Sequence, residues 1–115
     1  PALANGVLYF GDLAGSFYAV NAADGTANFP ELQVNNPIVD TPLVSGENIY
    51  FTAESDTIYT VDLKGSITSK LVGGTIYSSP ILAGDSILVA PTNFSSQLVA
   101  LSLDGTQKWV FPPPK

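Results

Sequence analysis

The side chains best suited to chemistry in this sequence are carboxylates. "AESD", residues 53 to 56, places Glu54 and Asp56 two positions apart with Ser55 between them and Thr57 after them. A hard cation such as calcium takes several oxygen ligands at once. Glu54 and Asp56, with the two hydroxyls, are therefore the candidate metal ligands of the chain, against the plainer reading of a solvated hairpin tip. Asp12, in "GDLAG", stands in a comparable context and would extend an acidic rim. Glycoside hydrolysis needs two carboxyl groups held across a bond at a defined separation, and an isolated pair does not supply that. No catalytic residue is assigned. The chain has no histidine and no cysteine, which excludes thiolate chemistry, imidazole proton transfer and Cys/His metal sites.

Charge narrows the partners further. Ten acids against four lysines, with no arginine, give a net charge of −6. Such a surface lacks the cations that neutralise phosphates, which argues against nucleic acid and anionic membranes. There is no apolar run of membrane-spanning length, so membrane insertion is not expected. Few lysines among many Ser, Thr, Asn and Gly suggest an exported protein, periplasmic or extracellular. The first residue is Pro1 rather than methionine, as in a processed product or a fragment. With 45% hydrophobic and 12% charged residues, the chain must bury much of its surface, in its own core or against neighbours.

The elements that carry these residues recur. Glycine turns fall at Asp24-Gly25, Lys64-Gly65 and Asp104-Gly105, a period of about 40 residues that is typical of propeller blades. Upstream of them stand "SFYAVNAADG", "TIYTVDLKG" and "QLVALSLDG", and further upstream "GVLYFGD", "NIYFTAE" and "SILVAPT". Each copy opens on a proline: Pro1, Pro42 and Pro80. Tyr9, Tyr50 and Leu88 hold the same place after it, and the Phe10/Tyr18 pair returns as Phe51/Tyr59. The third copy inserts residues around "NFSS", which contains the glycosylation-type tripeptide Asn93-Phe94-Ser95. "PPP" before Lys115 reads as an extended tail.

Short runs of Val, Ile, Tyr, Phe and Thr, punctuated by Gly, Asn, Asp and Pro, give four strands per copy. In the third they fall near Ile81–Leu82, Ile87–Ala90, Leu98–Leu101 and Lys108–Phe111. The runs are nearly continuous in apolar residues (Val7-Leu8-Tyr9-Phe10), as strands covered on both faces require. The fold expected is all-β: three tandem four-stranded antiparallel blades of a β-propeller, at about 1–41, 42–79 and 80–115.

"PILAGDSILVAPTNFSSQLVALSLDGTQKWVF" resembles the repeat of the PQQ-like, quinoprotein-type β-propellers. The resemblance lies in a proline-led strand, an aromatic second strand, a third strand such as Tyr18-Ala19-Val20-Asn21, and a glycine turn followed four residues later by tryptophan. Gly105 to Trp109 has that spacing; Phe29 takes the place after Gly25, whereas Ser69 follows Gly65. The resemblance implies a structural role for Gly25, Gly65, Gly105, Phe29 and Trp109, with the tryptophan docked between blades. Quinoprotein enzymes of this kind bind a quinone, usually with calcium and a catalytic aspartate, commonly stack it on a tryptophan, and often carry a disulfide between adjacent cysteines. A single tryptophan already placed in the repeat, and no cysteine, lead us to expect no cofactor here.

Related propellers include bacterial outer-membrane assembly factors. The function expected is a non-enzymatic, exported scaffold or protein- or glycan-binding module. The alternative is a segment of a quinoprotein oxidoreductase whose catalytic residues lie elsewhere. Closed propellers have about four to eight blades, so the expected partners are protein: remaining blades, or a second copy completing a six-bladed ring.

Overall fold

The computed structural model describes residues 1–92 and 97–113. The tripeptide Asn93–Ser95, and the last two residues of the chain, lie outside the described residues. Twelve strands form three separate four-stranded sheets, and no helix occurs among the described residues.

Blade 1 comprises β1 (Ala2–Ala4), β2 (Val7–Gly11), β3 (Ser16–Asn21) and β4 (Ala27–Gln33). Blade 2 comprises β5 (Leu43–Ser45), β6 (Asn48–Thr52), β7 (Thr57–Asp62) and β8 (Ile67–Leu71). Blade 3 comprises β9 (Ile81–Ala83), β10 (Ser86–Val89), β11 (Leu98–Ser102) and β12 (Gln107–Phe111). Within each blade successive strands pair antiparallel, in chain order. The first strands lie side by side, β1 against β5 and β5 against β9, so the blades follow one another along an arc. The arc measures 53 × 29 × 19 Å and is not closed into a ring.

The turn chemistry read in the sequence is realised. Gly25, Gly65 and Gly105 adopt φ of 75°, 91° and 89°, a conformation that costs glycine little. The acid at the end of the third strand completes the turn in blade 2: Asp62 Oδ1 accepts the N–H groups of Lys64 (2.9 Å) and Ser66 (3.0 Å).

Strand alternation assigns each side chain to one blade face. In β6, Ile49 and Phe51 face blade 1 while Tyr50 faces blade 3, and all three are buried. This is why the apolar run in that strand is continuous: both faces are covered. Two cores result. One joins Tyr9, Phe17, Ala19 and Phe29 of blade 1 to Ile49, Phe51 and Val61 of blade 2. The other joins Tyr50 and Ile58 of blade 2 to Ile87, Val89, Val99 and Leu101 of blade 3.

Connections between blades are fastened to the β2–β3 and β6–β7 loops. Ile38 N–H donates to Asp12 O (2.9 Å), and Glu54 N–H donates to Pro37 O (2.8 Å), so the connection after blade 1 is held from both sides. Ile38 itself is buried directly over Gly11, where a Cβ would lie 2.2 Å from its Cγ2.

Candidate functional site

The two seams show what a blade face needs from its neighbour. In the first seam, Phe17 of β3 stacks on Phe51 of β6, with ring centroids 4.2 Å apart and planes at 6°. Phe51 is stacked in turn on Tyr59 at 5.0 Å. Towards the outer edge Phe29, only 5% exposed, lies over Gly65 of the next blade. A Cβ on Gly65 would sit 2.9 Å from Phe29 Cγ. The glycine is thus a socket for the aromatic ring as well as a turn residue.

The second seam uses different groups at the equivalent places. Gly105 is covered by Lys70, whose Cγ lies 2.8 Å from the position a Cβ would take. Tyr50 reaches across and its hydroxyl donates to Leu103 O at 2.9 Å. The absence of an aromatic after Gly65 has a backbone cause. In blades 1 and 3 the register slips by one residue beside Ala19 and Ala100, which brings Phe29 and Trp109 opposite those alanines. In blade 2 the β7–β8 register is unbroken, so Thr68 lies opposite Thr60 and Ser69 opposite Tyr59. A one-residue slip moves a side chain to the other face of a sheet. Ser69 is therefore not a substitute in the aromatic position; it lies on the face towards blade 1, beside Tyr59, Thr68 and Gln33 in a cleft of about 290 Å³.

The two ends of the arc carry the same features without a neighbour. On blade 1, Phe10 and Tyr18 stack at 5.1 Å, repeating the Phe51–Tyr59 pair, but no phenylalanine covers them. Leu3 on the adjoining strand is 66% exposed, and the space around Gly25 is open: beyond its own chain neighbours, no atom of the described residues lies within 4 Å of the position of a Cβ. On blade 3, Ile81, Trp109 and Phe111 are 56%, 47% and 54% exposed. Trp109 occupies the position of Phe29 but, at the end of the arc, has no glycine turn to cover. The docking expected of it from the repeat is seen at Phe29.

Asp12, Glu54, Asp56 and Asp104 belong to loops and turns. Asp12 Oδ1 accepts the N–H groups of Ala14 (3.0 Å) and Ser16 (2.9 Å), and Oδ2 accepts the Tyr18 hydroxyl (3.0 Å). The Ser16 N–H above all holds its carboxyl below the ordinary aspartate range. Asp104, bonded by the Ser102 hydroxyl and the Thr106 N–H, is brought down to about 2. Glu54 and Asp56 sit in the β6–β7 loop. Asp56 Oδ1 accepts the Thr57 hydroxyl (3.3 Å), while the backbone oxygens of Ser55 and Asp56 accept Ile76 and Val72 N–H groups. That backbone anchors the connection between blades 2 and 3. Among the described residues no three acids converge as a cation site would require.

One acid was not singled out from the sequence. Asp40, two residues before Pro42, is partly buried, and its Oδ2 accepts the Thr52 N–H (2.8 Å). Thr52 Oγ1 lies 3.1 Å from that same Oδ2 and 3.0 Å from Ser78 O, while Asp40 Oδ1 is buried without a hydrogen-bond partner among the described residues. Burial raises its carboxyl to about 6, only partly opposed by the Thr52 hydrogen bonds. One hydroxyl proton cannot serve two acceptors, so a protonated Asp40 fits this arrangement better than a carboxylate. The "DTP" and "SSP" phrases before Pro42 and Pro80 were the available signal, because Thr41 N–H also donates to Ser79 Oγ (2.8 Å).

Comparison with known proteins agrees with this architecture. The family model described as outer membrane protein assembly factor BamB matches residues 1–109. Among solved structures, BamB from Moraxella catarrhalis superimposes with a TM-score of 0.74 at 21% identity, over 90% of this chain and 33% of that one. The computationally designed Ika8 protein superimposes with a TM-score of 0.82 at 10% identity, over 98% of this chain and 36% of that one. The designed Ika4 protein gives 0.64 at 16% identity, over 95% and 62%. The chain thus spans about a third of the first two structures. No curated protein sequence matches it. A family match over nearly the whole chain, on three blades with the seams described above, places this protein in the BamB-type family of PQQ-like β-propellers.

Proposed function

We propose that this chain is an exported, non-enzymatic propeller module that works as a protein-binding scaffold, in the manner of an outer-membrane protein assembly factor. The observation that carries this reading is the pair of end faces. Each presents apolar side chains in the arrangement that is buried at the internal seams, with Leu3, Phe10 and Tyr18 at one end and Ile81, Trp109 and Phe111 at the other. Exposed apolar surface of this kind marks an interaction site, and a face shaped to receive a β-blade selects protein. The acidic balance of the chain, at −6, is consistent with a protein partner and not with nucleic acid.

A photo-reactive amino acid placed at position 3 or 111 of the exported chain tests the reading. Cross-links to outer-membrane assembly proteins, or to further blades, are expected from both positions and not from the exposed polar position Glu47. Absence of any cross-link from either face, with the chain intact in the exported fraction, overturns it.

A further inference from the structure

We propose that the cleft between the outer strands of blades 1 and 2 binds a neutral sugar ring, a single pyranose unit of a glycan. The cleft measures about 290 Å³, at the lower end of the roughly 300–1,000 Å³ of small-molecule sites. Both walls belong to an internal seam, so the proposal does not depend on the end faces. One wall is the end of β4 and the residues after it, Gln33, Val34 and Asn35; the other is Tyr59 of β7 with Ile67 and Ser69 of β8.

The second seam shows what packing alone puts in this place. Val110 lies opposite Val99 in the β11–β12 ladder, as Ser69 lies opposite Tyr59 in the β7–β8 ladder. Val99 is buried, and Val110 packs against the same core. In the first seam these two positions carry hydroxyl groups instead, and space remains between the blades. The hydroxyls of Tyr59 and Ser69 and the carboxamide of Asn35 have no hydrogen-bond partner among the described residues. The walls themselves are fixed. Val34 N–H donates to Gly15 O (2.9 Å), Asn35 N–H to Gln33 Oε1 (2.7 Å), and Gln33 Nε2 to Ser16 Oγ (3.1 Å). Tyr59 is held by its stack on Phe51. Such a preformed site avoids the cost of ordering its groups on binding.

The lining selects the ligand. Among the described residues that line the cleft none is charged, so an ion finds no counter-charge to offset its desolvation. A purely apolar ligand would cover the hydroxyls and the carboxamide without giving them partners. Hydroxyl and carboxamide groups both donate and accept, which matches the hydroxyls of a sugar. Val34, Ile67 and the Tyr59 ring supply apolar surface for the C–H groups of the same ligand. The volume suits one ring and not an extended peptide segment.

Amide NMR of the isotope-labelled chain, titrated separately with maltotriose and with the trimer of N-acetylglucosamine, reads the site directly. At least one of the two is expected to give saturable shifts at Asn35 and Ser69. The dissociation constant should be on the order of millimolar, the range for a seated ring of about a dozen heavy atoms. The amides of Val99 and Val110, at the same place in the other seam, should not move. Ser69→Val copies the residue of the second seam and fills the cleft; binding should weaken by more than about tenfold. Asn35→Gly keeps the left-handed backbone, φ 62°, at little cost and deletes the carboxamide. About fivefold weaker binding is expected from that loss of one hydrogen bond, with the dispersed spectrum of the folded parent chain retained.

No saturable shift with either sugar at tens of millimolar overturns the proposal. So do shifts that survive Ser69→Val, shifts that glycerol reproduces at the same concentration, and a preference for the neutral peptide N-acetyl-Gly-Asn-Gly-amide over both sugars.

Discussion

The seam between blades 1 and 2 is built from stacked rings, and the seam between blades 2 and 3 from aliphatic side chains around the single ring of Tyr50, with one lysine stem. In the first, Phe17, Phe51 and Tyr59 stack in sequence and Phe29 fills the socket at Gly65. In the second, Ile58, Ile87, Val89, Val99 and Leu101 fill the space, Lys70 lies over Gly105, and Tyr50 adds a hydrogen bond to Leu103 O. The same repeat thus makes two solutions to one packing problem. What they share is the geometry: alternating side chains of the two middle strands meet the next blade, and an outer-strand side chain covers its turn. That shared geometry identifies the uncovered faces as unfilled copies of the same joint.

The comparison can be broken at its centre. Phe51→Ala removes a fully buried ring from the stack and should cost about 3–5 kcal/mol, read as a lower denaturation midpoint with the slope unchanged. Ile87→Ala, a truncation to the same residue on the other seam, should cost less, about 2–3 kcal/mol. Equal losses would mean that the aromatic seam is not the stronger of the two.

The sockets give a finer test. Gly65→Ala must displace Phe29, a buried ring, and adopt a strained positive φ; the expected loss is about 2–3 kcal/mol. Gly105→Ala shares the backbone strain, but it meets a flexible lysine stem that can move aside. It should cost about 1 kcal/mol less, and thermal unfolding of the two variants side by side checks the order.

Asp40 makes the second seam dependent on pH. Its folded carboxyl, raised to about 6, keeps its proton where an unfolded aspartate, near 3.8, has lost it. The stability contribution of the neutral carboxyl is therefore complete below about pH 4 and is lost as pH rises through 6. Asp40→Asn should remove that dependence and raise stability by about 1–2 kcal/mol at pH 7 to 8, a discounted figure for a group that is only partly buried. Melting temperatures from pH 4 to 8 report it. A variant that is less stable than the parent chain at pH 8 would show that the ionised carboxylate holds the seam. The smallest effect is expected from Tyr50→Phe, about 1 kcal/mol for the hydrogen bond to Leu103 O.

Much of the fold could be read in advance because it depends on local rules. The 40-residue spacing of the turn glycines, the proline openings and the unbroken apolar runs specify four-stranded blades that need neighbours on both sides. Where both neighbours exist, as at Ile49, Tyr50 and Phe51, the run is fully buried; where one is missing, as at Leu8 and Phe10, it is only partly covered. The state of Trp109 was not legible for that reason, since a motif shows what a side chain packs against only if the neighbour is present. Ser69 stands at the spacing where the other copies have an aromatic, but the β7–β8 register lacks the slip present in blades 1 and 3, and that difference, invisible in composition, turns it to the other face. Asp40 escaped notice because its burial comes from Thr52 and Ser78, far away in sequence. Glu54 and Asp56 were readable as a loop, and the anchoring role of that loop lies in its backbone rather than its carboxylates.

The claim that the end faces repeat the internal joints can be tested on the sole tryptophan. Acrylamide quenching of Trp109 emission, measured for this chain and for the same chain with a tryptophan-free copy of blade 1 fused after its last residue, follows whether that face takes a following blade. Quenching should be strong in this chain, where the ring is 47% exposed, and weak once the added blade is present. Strong quenching in both would contradict the claim.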